Sequence, residues 1–300
     1  MSDEKIILPK DQNLSEEEQK TDRALKREIE DEAYIPVILK RTDESVRHPD
    51  DVLEKAIHEG IEQHKRSALS LLLSAVSAGL ILGFAAMSVA LASQIFPSNA
   101  NPLYNRLAMA FVYPLGFIIC IMSGTQLFTE HTATAVYPVL DKKASIQSLF
   151  RLWIIVLIGN FIGTSISSVL IFSADSVILA KEGVLEVAHH LTSYTFKEVF
   201  ISAILAGWLM AQGGWLILAT PPTSSQILCI YIVTFIIGIG GLHHSIAGSA
   251  EIFGGLLLSE DPHYKSAFIT LFASILGNLV GGSVFVGVLN YAHIRKTQEM

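Results

Sequence analysis

The chain has 300 residues, 51% of them apolar and only 16% charged, a balance too greasy for an ordinary water-soluble enzyme. Its charge is segregated: residues 1–66 hold 18 of the 28 acidic and 12 of the 21 basic side chains, so the net charge of −7 belongs almost wholly to a polar head. That acidic total gives no pointer to nucleic acid, and none is expected as a partner. Cys120 and Cys229 both lie in apolar runs and offer no disulfide framework.

Residues 1–48 read as an acidic, mobile cytoplasmic extension. Within it, SEEEQKTDRALKREIEDEA has pairs such as Glu16 and Lys20 at the spacing of a solvated helix, and residues 1–45 are a candidate for recruiting a soluble partner. The first apolar run starts only near Ala68, so no secretory signal peptide is expected. From Pro49 to Arg66 the pattern changes. Val52, Leu53, Ala56, Ile57, Gly60 and Ile61 fall on one helical face, which predicts an amphipathic helix along the membrane surface, with His64, Lys65 and Arg66 at its cytoplasmic edge.

Six apolar segments follow, at 68–96, 107–122, 149–172, 199–218, 227–241 and 266–290. A span needs about 20 residues to cross roughly 30 Å of hydrocarbon. The second and fifth segments are short, and each runs into a small or polar patch: SGTQLFTEHTATAVYP after the second, GGLHHSIAGSAEIFGGLLL after the fifth. Apolar character then returns, so both read as broken helices. The Lys and Arg positions favour cytoplasmic termini: Lys65, Arg66, Lys142, Lys143, Arg151, Arg295 and Lys296 fall inside, against Arg106, Lys181, Lys197 and Lys265 outside.

An internal repeat organises residues 67–294 as a pore domain, with halves at 67–172 and 197–292 and a short cytoplasmic tail at 295–300. GNFIGT from Gly159 and GNLVGG from Gly277 stand 118 apart, and the same offset carries Gly124 in the first break onto Leu242 in the second. Three spans per half is an odd number, so the halves must face opposite ways. An inverted repeat with a broken helix in each half points to permeation near the membrane midplane.

Broken backbone in a membrane is tolerated where it lines a cavity or finds protein partners. Ser123, Gly124, Thr125, Gln126 and Thr129 suit the first break; Gly240, Gly241, Ser245, Gly248 and Ser249 suit the second. Half-helix N-termini favour an arriving anion, and neither break contains Lys or Arg. His243 and His244 then admit three readings. They are structural and satisfied by nearby hydroxyls, or metal ligands with His131, Glu130 and Glu251, or permeation residues that hydrogen-bond or protonate a solute. Neighbouring histidines on a helix point about 100° apart, which disfavours a shared metal ion. Glu130 and Glu251 are read only as weak lining residues.

These motifs resemble the formate/nitrite transporter family. SGTQLFTEH is similar to that family's signature at the break in the second helix, and GGLHHSIAGS to its stretch at the break in the fifth. GNFIG and GNLVGG match its third- and sixth-helix patterns, and the likeness spans residues 49–292. The resemblance implies an all-α, aquaporin-like protomer of six transmembrane helices, a homopentamer with one pore per protomer. It also implies that His244 is the central histidine, that Thr129 faces it from the other break, and that Tyr113, Phe117 and Ile237 form apolar constrictions. Departures stand at Gln126, Glu130, His243 and Gly248, at Gly207 where asparagine is usual, and at Leu191 where formate channels carry a lysine. They suggest an outlying branch in the bacterial inner membrane.

The expected function is passage of small monovalent anions such as formate, nitrite or hydrosulfide, passive or proton-coupled through His244, with Thr129, Gln126, Ser245 and His243 around it. The alternatives are a channel for a neutral solute such as ammonia, water or a small amide, and a membrane scaffold with a partner-binding tail. No nucleophile–base pair or cofactor loop is visible, so neither enzyme chemistry nor a cofactor is expected. The glycine runs suit close helix packing.

Overall fold

The computed structural model describes residues 47–298, so the extension through residue 46 and its soluble-partner role lie outside the described residues. Helix α1, Pro49–Lys65, begins where prolyl geometry suits a first turn, has Asp50 and Asp51 at its N-terminus and His64 and Lys65 at its end, and buries Val52, Leu53, Ala56 and Ile57. This is the amphipathic face read from the sequence. His64 is also buried, its Nε2 2.8 Å from the Ala135 carbonyl, which joins α1 to the polypeptide just beyond the first break.

Among the described residues six helices are long and apolar enough to cross a membrane. They are α2, Ala68–Ile95; α3 and α4, Pro102–Val112 and Pro114–Met122, in one run; α6, Ile146–Ser173; α9, Phe196–Ala219; α10, Thr223–Gly240; and a run that begins as α12, Tyr264–Val280, and continues to Thr297. Half-helix α5, Thr132–Leu140, follows the first break, and half-helix α11, Ser245–Leu258, follows the second. Short α7, Asp175–Ile178, and α8, Lys181–Thr192, lie between α6 and α9, where the sequence reading placed no element. The second and fifth spans reach full length because they start earlier than predicted. Asn101 caps α3 ahead of Pro102, and the polar Asn105 and Arg106 that look like loop belong to its first turns.

Beyond α12 the helix widens into a π segment, Gly281–Val288, and continues as α13, Leu289–Gln298. The predicted tail boundary at residue 294 therefore falls inside a helix. Arg295 holds it there, 2.8 Å from Glu54 of α1 and 2.8 Å from Asp141 at the end of α5, while Lys143 stands 2.7 Å from Asp141.

Polarity is arranged inside-out. On α6, Ile154, Ile158, Ile162, Ile166 and Leu170 form an exposed apolar ridge at four-residue spacing, suited to hydrocarbon or a neighbouring subunit. The opposite face buries Gly159, Asn160, Gly163, Thr164, Ser167 and Ser168. Small residues allow backbones to meet where apolar packing alone would give no preference over lipid. At the α2–α6 crossing a Cβ on Gly163 would stand 2.2 Å from the Val76 carbonyl, and at the α9–α12 crossing a Cβ on Gly281 would stand 2.1 Å from that of Ile204. Gly163→Leu should therefore force α2 and α6 apart, at a cost of about 1–3 kcal/mol or more. Thermal unfolding in detergent reads this directly, and an unchanged midpoint would contradict the close crossing.

Candidate functional site

Each broken span ends on a left-handed glycine, Gly124 at φ 66° and Gly241 at φ 59°. A side chain is strained there, which is why glycine stands at both turns. These two residues are 117 apart, one less than the 118 between GNFIGT and GNLVGG. Beyond the turns, two buried asparagines hold the loose backbone. Asn160 Oδ1 accepts from the Phe128 amide at 2.9 Å, and its Nδ2 donates to the carbonyls of Ala75 at 2.8 Å and Gln126 at 2.9 Å. Asn278 Oδ1 accepts from the Ser245 amide at 2.7 Å, and its Nδ2 donates to Ala203 at 2.8 Å and His243 at 3.0 Å. One side chain thus satisfies an amide and a carbonyl that the helix interruption leaves free, and ties them to a carbonyl of an unbroken helix, Ala75 of α2 or Ala203 of α9.

The breaks meet at Thr129 and His244, whose Oγ1 and Nε2 stand 2.7 Å apart, both residues being buried. The protonation pattern follows from the partners. His244 caps α11 by accepting the Ala247 amide at Nδ1, 3.1 Å away, and an amide can only donate. Neutral His244 therefore carries its proton on Nε2 and donates it to Thr129. The Thr129 hydroxyl keeps its own hydrogen for a third party. Phe117 meets the His244 ring edge-on at 5.1 Å, and Tyr113 packs on Phe117 at 4.9 Å.

A cavity of about 480 Å³ opens above this contact, on the α8 side of the molecule. Tyr113, Ile237, His244, Gly248, Glu251 and Leu191 line it. The structure thus brings together around one cavity six of the residues singled out from the sequence. Phe117 stands directly behind, against His244. Gln126, Glu130 and Ser245 lie deeper, and each has a buried oxygen without a hydrogen-bond partner: Gln126 Oε1, Glu130 Oε2 and Ser245 Oγ.

Two expected lining residues sit elsewhere. His243 does not face the cavity. Its Nε2 is 3.1 Å from the Leu191 carbonyl and its Nδ1 3.0 Å from Ser202 Oγ, so both ring nitrogens are used in fastening the break to α8 and α9. The first of the three readings, a histidine satisfied by its neighbours, describes His243, whereas His244 lines the cavity. Gly207 presses on the Asn278 backbone, where a Cβ would stand 2.3 Å from the carbonyl, so it serves the α9–α12 crossing. Among the described residues no group of three or more His, Cys, Asp or Glu side chains is placed to hold a metal ion.

Arg106 is a functional candidate that the sequence reading left in an outer loop. It lines the cavity, and its guanidinium donates to the carbonyls of Ile239 at 2.7 Å and Gly240 at 2.5 Å, the free end of α10. A cation is stabilised at such a helix end. The second break thus gains a positive charge through space that its own sequence lacks. Glu186 of α8 stands in the same wall, accepting from Ser93 Oγ at 2.5 Å and the Ser98 amide at 3.2 Å. Burial alone would raise its carboxyl, but the hydrogen bonds from Ser93 and Ser98 outweigh that and hold it below the ordinary carboxylate range. A depressed acid contributes stability above its unfolded pKa and loses it as pH falls through the folded value. Protection of the Ser98 amide against hydrogen exchange, taken relative to the intrinsic rate at each pH, should accordingly fall in acid, below the usual carboxylate range, and Glu186→Gln should flatten that dependence.

Comparison with known proteins follows from this geometry. A family model described as Formate/nitrite transporter matches residues 50–292. The chain is 34% identical over 255 residues to "Inner membrane protein YfdC" of Escherichia coli (strain K12), covering 80% of this chain and 78% of that one. In three dimensions it is similar to an FNT family ion channel, with a TM-score of 0.73 at 21% identity, covering 81% of this chain and 99% of that one. It is also similar to a pentameric formate channel with formate bound, with a TM-score of 0.67 at 19% identity, covering 76% and 97% of the two chains. At those identities the structural likeness establishes a common fold.

Proposed function

Since the chain belongs to the formate/nitrite transporter family, we propose that it passes small monovalent anions of the formate and nitrite class through a pore centred on Thr129 and His244. The observation that carries this reading is the 2.7 Å contact between those two side chains, which joins the breaks and leaves a hydroxyl hydrogen free to point at a solute. An anion arriving there meets the Thr129 hydroxyl, the unpartnered Ser245 hydroxyl and the N-terminal ends of α5 and α11. Each favours negative charge. The Arg106 guanidinium in the outer cavity attracts the same species.

Tyr113, Phe117 and Ile237 make the approach apolar. A bare anion crosses such a constriction at high cost and a neutral acid at a much lower one. In this pore His244 acts as a hydrogen-bond donor. Its imidazolium form would set an Nδ1–H against the Ala247 N–H and forfeit the cap on α11. The two halves are read as an inverted repeat, supported by the matched glycines, the matched asparagines and three spans per half. The α1 side, with Lys65, Arg66, Lys142, Lys143, Arg151, Arg295 and Lys296, is the cytoplasmic side, and both termini lie there. The protomers assemble as a homopentamer in a bacterial inner membrane.

Full-length protein in liposomes tests the reading against a panel of formate, nitrite, hydrosulfide, ammonia, urea and water. Anion flux at least tenfold above empty liposomes is expected. Flux of neutral solutes alone would replace the anion reading with that of a neutral-solute channel.

A further inference from the structure

Proton coupling needs a group that can take up and release a proton, and the central pair is poorly suited to it. Both nitrogens of His244 are engaged, Nδ1 by an amide that cannot reverse its role and Nε2 by Thr129. His243 is tied to Leu191 and Ser202. Glu251 lines the open outer cavity and stands on the side from which the solute comes. Glu130 differs from all of these. It follows Thr129 in the chain, is only 9% exposed, and its Oε2 has no hydrogen-bond partner. It is absent from the lining of the outer cavity and packs instead against α9, where a Cβ on Gly214 would stand 3.1 Å from the Glu130 carbonyl and 3.5 Å from its Cγ, with Glu59 of α1 acting on it electrostatically.

A buried carboxylate oxygen that no part of the fold uses is costly to keep. The groups facing it are few. His131 Nδ1 is 3.9 Å from Oε2 but donates to the Leu127 carbonyl at 3.0 Å, and Glu59 of α1, itself 3.9 Å from Lys55, acts on it electrostatically. Cys120 of α4 is a further titratable neighbour. None of these fixes the carboxyl in one protonation state.

We propose that Glu130 is the proton-exchange residue of this transporter, relieving a neutral weak acid of its proton after the acid has passed the Thr129–His244 contact. The step balances simply. An anion held at the Thr129–His244 contact takes a proton from the outer water and leaves that contact as the neutral acid; at Glu130 the acid's O–H bond breaks as the O–H bond of the Glu130 carboxylic acid forms, freeing the anion. Glu130 then yields the proton to water on the α1 side and returns to carboxylate. Anion and proton move together, one of each. The substrate class narrows accordingly to anions of weak monobasic acids, with chloride and nitrate excluded from the coupled route.

The inference rests on the anion-transport reading and is tested in the same liposomes with a pH dye trapped inside. An inward formate gradient at acidic external pH should acidify the lumen of wild-type liposomes, while a chloride gradient should not. E130Q should lose formate-driven acidification at least tenfold and instead pass formate as the bare anion, giving a formate-dependent current in planar bilayers where the electroneutral wild type gives little, and E130D should restore acidification. No formate flux by the wild type would overturn both readings. Normal flux with undiminished acidification in E130Q would overturn only the role of Glu130. Should E130Q fail to assemble, infrared difference spectra of full-length E251Q decide: a carboxylic acid band induced by formate supports the exchange, and its absence refutes it.

Discussion

Asn278→Ala should destabilise the protein by about 3 kcal/mol or more and reduce anion flux at least tenfold. The side chain is fully buried and makes three bonds of 2.7 to 3.0 Å, one to the Ser245 amide and two to the Ala203 and His243 carbonyls. Alanine removes all three at once and strands the Ser245 amide and the His243 carbonyl, while the Ala203 carbonyl keeps its bond within α9. Each such orphan costs roughly 1–3 kcal/mol, less where the chain relaxes to find another partner. No water is available in the membrane interior to take over. The Ser245 amide opens α11 and the His243 carbonyl precedes it, so the loss also releases His244 from its place opposite Thr129. Asn160→Ala should do the same to the first break through Phe128, Ala75 and Gln126. Asn278→Asp separates the roles, since a carboxylate can accept from Ser245 but cannot donate to the two carbonyls. Melting midpoints of all three variants measure the effect. Wild-type stability in both alanine variants would mean that the breaks are held by something else.

These asparagines mark the boundary of what was legible in the chain. GNFIGT and GNLVGG stood out as repeat landmarks, and the six spans and two interruptions could be read from apolar run lengths and from the small residues that end them. The purpose of each Asn could not be read, because its three partners come from two other segments and only folding brings them within 3 Å. The histidine pair shows the same limit at closer range. His243 and His244 are identical by type and differ by one position, yet one ring turns back to α8 and α9 and the other to Thr129. Arg106 was invisible for a different reason. Its charge places it in a loop by composition, whereas Asn101 and Pro102 start a helix ahead of it and aim it at the end of α10. Helix α8 escaped because its buried stripe of Gly183, Val184 and Val187 is too narrow to outweigh its charges. Gln126 and Glu130 could be read as residues of the first break and as departures from a family pattern, but not as buried ones. Their burial without partners is what makes them informative.

His244→Ala should lower anion flux by about ten- to a hundredfold, the loss that follows from weakening hydrogen bonds to a charged solute worth roughly 1.5–3 kcal/mol. The residue does two things that must be separated before the number means anything. Its Nδ1 caps α11 at Ala247, and its Nε2 orients the Thr129 hydroxyl. Removing a cap costs about 0.5–2 kcal/mol of stability by itself. His244→Asn addresses this: asparagine is a good N-cap and can accept from the Ala247 amide, but it is too short to span the distance to Thr129. Stability should therefore recover in His244→Asn while flux stays low. Thr129→Val makes the complementary cut, keeping the cap and the side-chain shape while deleting the hydroxyl, and its flux should fall into the same range. If the two residues act as one donor chain, the double variant His244→Asn with Thr129→Val should be little worse than either alone, because the second change removes an interaction already lost. Additive losses would mean that each side chain meets the anion independently. Wild-type flux in His244→Asn would leave the histidine as a helix cap and move the pore's chemistry to Thr129 and Ser245.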